Sequence, residues 1–173
     1  MYSVMNIFLL RHGPAEHISD HAVYKDSYRN LTTLGAENIK ALAKTFAAMD
    51  HTIDHCFASP YNRAQQTAEL FLKGAGLTCA IETNVILTPE NNPVNAIRLL
   101  EQAEEAIKQP KKEFNILLVG HNPFLSELYR MLTMANSTYA SKVLDAGELC
   151  GIHFDLFGLG LGSEILNIPP VKY

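Results

Sequence analysis

FNILLVGHNPFLSELYRMLTM, residues 114–134, is the stretch whose reading decides the fold. Its first seven residues form a continuous apolar run, FNILLVG (114–120). A run that short reads as a strand buried on both faces. PFLSELYRMLTM (123–134) reads as a helix. Between them stands His121, followed by Asn122-Pro123, a capping residue and a proline at the first helical position. Strand, short junction and helix are the repeating unit of a layered α/β protein.

The same construction occurs upstream. HCFA (55–58) reads as a strand, Ser59-Pro60 as the cap and first helical residue, and PYNRAQQTAELFLKGAG (60–76) as a helix with Pro at its start and Gly at its end. SVMNIFLL (3–10) is another buried strand, and it stops at Arg11-His12-Gly13. Residues 14–31 are polar and irregular, as in an exposed loop. TTLGAENIKALAKTFAAM (32–49) follows threonines able to cap, and puts Leu34, Ile39, Leu42, Ala43 and Phe46 on one helical face. CAIET (79–83) reads as a strand. NPVNAIRLLEQAEEAIKQ (92–109) reads as an amphipathic helix ending before Pro110. ELCGIHFDL (148–156) reads as a late strand, GLGLG (158–162) as a turn, and SEILNIPP closes the chain. The alternation predicts an α/β sheet with its apolar strands at the centre, in one domain over residues 1–173 with no linker.

Composition narrows the function. With 47% hydrophobic and 18% charged residues, 173 residues can bury a proper core and are not a disordered chain. A net charge of −4 gives no global basic field for nucleic acid. No stretch approaches about 20 apolar residues, so no membrane span is expected. MYSVMNIFLL has no basic n-region and no small-residue cleavage site, so it is not read as a signal peptide, and Met5 is a second candidate start. Cys56, Cys79 and Cys150 show no C-x-x-C spacing. They read as buried, reduced thiols of a cytoplasmic protein.

The chemistry-bearing residues gather at the junctions. Both Pro-started helices point free N–H groups toward the strand ends, where anions bind. Arg63 lies in the first turn of one helix, and His121 lies just before the cap of the other. If the three strands are parallel neighbours, Arg11, His12, Arg63 and His121 converge outside their carboxyl ends. Arginine presents a fork that fits phosphate oxygens. One imidazole can attack phosphorus while the other donates hydrogen bonds. Such a set suits phosphoryl transfer without a metal or other cofactor.

Arg11-His12-Gly13, SPYNRAQQTAE (59–69) and GHNP (120–123) together resemble the histidine phosphatase (phosphoglycerate-mutase-like) superfamily. The similarity is greater to its short branch, the SixA-type phosphohistidine phosphatases. NLTTLGAENIKALAKTF (30–46), ILTPENNP (86–93) and ILLVGHNPFLSEL (116–128) resemble further segments of that branch, so the likeness covers nearly the whole chain. It implies a three-layer α/β/α sandwich with a mostly parallel central sheet. It implies His12 as the nucleophile, forming a phosphohistidine intermediate, with Arg11, Arg63 and His121 binding the phosphoryl group. Ser59 and Gly13 are added as substrate-binding candidates. One departure is Pro14, where many short-branch members carry an acidic residue.

The resemblance implies a substrate that is a phosphorylated protein, such as a histidine phosphotransfer domain. The alternatives are a small phosphate monoester, or a weakly catalytic phosphate-binding regulatory module. An ester leaving group needs a general acid; Glu90 and Glu16 are the candidates. A P–N bond to imidazole breaks with less help. A shallow pocket without insertions would admit a side chain on a folded protein. A monomer is expected. His17 with His21, and His51 with His55, have i,i+4 spacing but no evident third ligand, so no metal site is expected. His153 reads as a surface-facing strand residue.

Overall fold

The computed structural model describes residues 4–17, 25–106, 113–133 and 142–171. The two continuous apolar runs, β1 (Val4–Arg11) and β4 (Glu113–Gly120), lie side by side in parallel. Asn6 stands opposite Asn115, and Arg11 opposite Gly120. Their alternating side chains feed two cores. Met5, Ile7, Leu9, Phe114, Ile116 and Leu118 face one core; Phe8, Leu10, Leu117 and Val119 face the other. Such strands must be apolar on both faces, which is why they read as unbroken hydrophobic runs.

α1 (Thr33–Ala47) and α2 (Asn62–Gly74) cover one face with Ile39, Leu42, Phe46, Ala64, Ala68 and Phe71. Phe46 meets Phe8 edge-on with centroids 5.3 Å apart, and lies 5.1 Å from Phe71. α3 (Val94–Glu105) and α4 (Phe124–Thr133) cover the other face with Leu99, Leu100, Leu125, Leu128, Tyr129 and Leu132. β2 (His55–Ala58) and β3 (Ile81–Thr83) extend the parallel part of the sheet, while β5 (Leu149–Phe154) and β6 (Ser163–Ile168) are antiparallel. The order is β3-β2-β4-β1-β5-β6. This is the expected α/β/α sandwich, with β4 between β1 and β2. At the strand starts Asn6 Nδ2 donates to Asn115 Oδ1 at 2.9 Å and also to the Glu113 carboxylate. A polar pair inside the sheet is thereby satisfied.

Several sequence expectations shift. Thr32 caps α1 by accepting from the Gly35 N–H at 3.0 Å, but Leu34 is exposed, because it sits on the first turn above the core stripe. Ser59 is not the cap of α2. The helix begins at Asn62 behind Tyr61, whose side chain makes no capping bond. Asn122 directs its side-chain amide to the Leu144 carbonyl at 2.8 Å, and α4 begins at Phe124. SEILNI is the edge strand β6, and its one-sided alternation is that of an edge. Of the stretch 14–31, residues 18–24 lie outside the described residues. Ala15 bridges Leu31, and residues 26–28 form a tight helical turn. Among the described residues no helix is long and apolar enough to cross a membrane.

Candidate active site

The carboxyl ends of β1, β4 and β2 bring Arg11, His12, His121 and Ser59 together, and the first turn of α2 adds Arg63. The backbone latches these ends to one another. His12 N–H donates to Gly120 O, and Ser59 N–H to Val119 O, each at 3.0 Å. Gly147 N–H is shared between the carbonyls of Arg11 and His12. Gly147 has φ +82°, a conformation glycine adopts without strain.

His12 Nδ1 lies 2.7 Å from the Gly13 carbonyl, which can only accept, so Nδ1 carries the proton. The Nε2 lone pair then faces Arg63 Nε, which donates to it at 3.2 Å. Gly13 is thereby an orienting residue. Its own N–H goes to Thr67 Oγ1 at 3.2 Å. A Cβ on Gly35 would stand 2.0 Å from the Pro14 carbonyl oxygen, so a glycine there lets α1 close on the chain beside His12.

His121 is buried and stacks obliquely on His12, with centroids 4.9 Å apart. Its Nε2 lies 2.8 Å from Ser59 Oγ, while its Nδ1 is buried without a partner among the described residues. The Tyr61 ring meets His121 edge-on at 4.9 Å. Arg11 Nη1 donates to Leu144 O at 2.7 Å, and its buried Nε also lacks a partner among the described residues. Arg63 is buried. Its Nη1 and Nη2 donate to the backbone and carboxylate oxygens of Asp26, both at 2.7 Å.

These positions set the charges. Burial, with further lowering from Arg63, Arg11 and Arg29, holds the His12 pKa down at about 4 despite the opposing Gly13 carbonyl. Burial, then His12 and the same arginines, lowers His121 to about 2. Both imidazoles are therefore neutral at pH 7. Burial also lowers Arg11 and Arg63 from the ordinary arginine value. For Asp26 burial acts upward, but the hydrogen bond and charge of Arg63, with Arg29, outweigh it and keep the carboxylate ionised. A neutral ring with an oriented lone pair, flanked by two guanidiniums, is equipped for attack on an anionic phosphoryl group.

The acid candidates lie further out. Glu90 is exposed and accepts from Tyr61 Oη through both oxygens, each at 3.2 Å. The Glu16 carboxylate accepts from the Asn30 N–H at 3.0 Å. Of the spaced histidine pairs, His21 lies outside the described residues; His51 packs on Phe8 and Phe46, and His55 on Phe57 and Phe114. Among the described residues no three His, Cys, Asp or Glu side chains group as a metal site. His153 is half-exposed and hydrogen-bonds Asn6 Oδ1 at 2.9 Å. Cys56 and Cys150 are buried thiols and Cys79 a half-buried one; burial pushes the first two up to about 12. Sequence reading missed Asp26 and Tyr61. The only signal for Asp26 was an opposite charge, Arg29, three residues on.

Residues 7–86 match the family described as Histidine phosphatase superfamily (branch 1). An uncharacterized protein of Picosynechococcus sp. is 29% identical over 143 residues, 83% of this chain and 82% of that one. The phosphohistidine phosphatase SixA of Escherichia coli is 27% identical over 148 residues, 82% of this chain and 86% of that one. The solved structure of the protein histidine phosphatase SixA complexed with tungstate superposes with a TM-score of 0.79 at 22% identity, covering 95% of this chain and 97% of that one. A phosphoglycerate mutase from Plasmodium falciparum shares the fold with a TM-score of 0.61 at 14% identity, covering 99% and 91%. The chain is thus similar to histidine phosphatases over residues 7–86 and to the SixA phosphohistidine phosphatase over about four-fifths of its length, and this similarity supports phosphatase activity.

Proposed function

We propose that this phosphatase removes phosphate from phosphohistidine on a protein, with His12 as its nucleophile. The observation that carries the reading is the His12 ring itself, fixed through Nδ1–H on the Gly13 carbonyl with Nε2 turned to Arg63. As the phosphoryl group enters, the Arg63 Nε–H passes from the His12 Nε2 lone pair to a phosphoryl oxygen; the freed lone pair attacks phosphorus, a P–Nε2 bond forms and the bond to the substrate's imidazole breaks. That imidazole leaves neutral when its ring already carries a proton, so no strong general acid is required. Water then cleaves the P–Nε2 bond and releases inorganic phosphate. Arg11 and Arg63 offset the charge on the phosphoryl oxygens. His121 Nε2 pairs with Ser59 Oγ; in the tautomer where Ser59 donates, His121 Nδ1–H is free to donate to one of those oxygens, and Nδ1 and Arg11 Nε are buried nitrogens with no partner among the described residues.

Glu90 is exposed and accepts from Tyr61 Oη, whose ring packs on His121; an acid held at the rim in this way supports a P–N substrate, whose leaving group needs little acid help. That same Tyr61–Glu90 pair favours a second reading, hydrolysis of a small phosphate monoester with a proton relayed from the rim. A phosphate-binding module without catalysis is disfavoured, since a binder has no use for an oriented, neutral imidazole. The test compares the wild type and His12→Ala on a phosphohistidine-bearing phosphotransfer protein and on a panel of small monoesters. Selective release from the protein, lost in the variant, is expected. Faster turnover of one ester, falling sharply in Glu90→Gln, would shift the assignment to the second reading.

A further inference from the structure

We infer that Asp26 is a positioning residue that fixes the Arg63 guanidinium against His12, so that attack and phosphate stabilisation share one geometry. The inference rests on His12 as nucleophile, and adds the element that aims its arginine partner. Arg63 makes three bonds in this site. Only Nε faces His12 Nε2; Nη1 and Nη2 both end on Asp26, one on its carbonyl and one on its carboxylate. A long arginine side chain has many rotamers, and two charge-assisted bonds at its far end remove most of them. The Tyr61 ring covers one side of the guanidinium, 5.0 Å from Cζ, but a ring face does not choose where the Nε–H points.

Asp26 is itself held. Its Oδ1 lies 2.8 Å from both Arg29 Nε and Arg29 Nη2. Arg29 Nη1 donates to the Glu16 carbonyl at 2.7 Å, and the Glu16 carboxylate accepts from the Asn30 N–H. Asn62, on the first turn of α2, ties the same turn by donating to the Tyr28 carbonyl at 3.1 Å. The turn at residues 26–28 is thus anchored on both sides, with its carboxylate directed at a buried arginine. A solvated loop has no reason to place an acid there. The placement also leaves the Nε edge turned toward the nucleophile, where the oxygens of a phosphoryl group must pass.

The experiment compares wild type, Asp26→Asn, Asp26→Ala and Asn62→Ala. Turnover is measured on phosphoramidate and para-nitrophenyl phosphate, inorganic phosphate binding by calorimetry, thermal unfolding by circular dichroism, and the His12 ring titration by NMR. Asp26→Ala is expected to lose about 10- to 100-fold in kcat, the size of a small misplacement of a catalytic group, with KM changed far less. Asp26→Asn, which keeps an acceptor for Nη2, should recover part of that. The His12 titration should move upward in Asp26→Ala, because its lone pair loses the Arg63 donor. Asn62→Ala, which loosens the turn and leaves the carboxylate, should stay within about 3-fold of wild type. Tighter phosphate binding with undiminished kcat in Asp26→Ala would overturn the inference and make Asp26 an internal competitor for Arg63. Equal losses in Asp26→Ala and Asn62→Ala, with the His12 titration unmoved, would overturn it in favour of a purely structural turn. Should the wild type turn over neither probe, the catalytic reading fails, and the substrate-free His12 titration decides the role of Asp26 alone.

Discussion

Two neutral histidines in the site should make the fold acid-labile well before its exposed carboxylates are protonated. Folded His12 titrates near 4 and His121 near 2, against about 6.5 for the same rings in the unfolded chain. Between those values the unfolded chain binds more protons than the native one, so stability falls as pH is lowered. From pH 6.5 to 4.5 each ring contributes on the order of 1 kcal/mol per unit, about 2 kcal/mol apiece and roughly 4 to 5 kcal/mol together. That is comparable to the whole stability of many domains. Replacing His121 by Gln removes one titration. The variant should be less stable at pH 7, where it lacks the fitted imidazole. Its deficit should then shrink by about 2 kcal/mol on the way to pH 4.5. Urea unfolding followed by far-ultraviolet circular dichroism at several pH values measures this; the chain has no tryptophan to follow instead. Parallel pH curves for wild type and variant would refute the assignment of His121 as a buried neutral ring.

The same depressed titration should appear in catalysis. With His12 as the proposed nucleophile, which must be neutral in the free enzyme to attack, the acid limb of kcat/KM is expected near pH 4, not 6.5. Removing Arg63 by Arg63→Ala should cost about 10³-fold or more in kcat, measured in single turnover, in line with other arginines aimed at a transferring phosphoryl group. Gly35→Ala should lower stability by about 2 kcal/mol or more, since its Cβ meets backbone and not a movable side chain. Its Tm should fall by about 5 °C, with activity falling too, because Pro14 adjoins the glycine that orients His12.

The central sheet was legible because its information is local. The apolar runs at 7–10 and 116–119, each preceded by a single asparagine, read as strands covered on both faces, and both lead into the residues that meet in the site. Arg63 and His121 were legible because each follows such a strand at a helix start. The cap at Ser59 was misread for a physical reason: a serine before a proline fits a helix start, but here its hydroxyl serves His121, and two further residues precede the helix. Asp26 was illegible because its partner, Arg63, is distant in sequence and the residues around it are uniformly polar. β6 was passed over because an edge strand needs only one apolar face, and SEILNI alternates weakly.

The backbone latches between the strand ends separate what is fixed from what is free to change. His12 and Ser59 donate their amides to β4, so those hydrogens should exchange with solvent only when the sheet itself opens, at the slow rate of global unfolding. The rim is built differently. The turn carrying Asp26 and the loop holding Glu90 meet the site through side-chain bonds at the periphery. Replacement of a rim segment can therefore retune which phosphorylated group is admitted while the ring of His12 stays in place. A single nucleophilic platform can in this way serve a succession of partners, its inheritance held in the sheet and its novelty confined to the border.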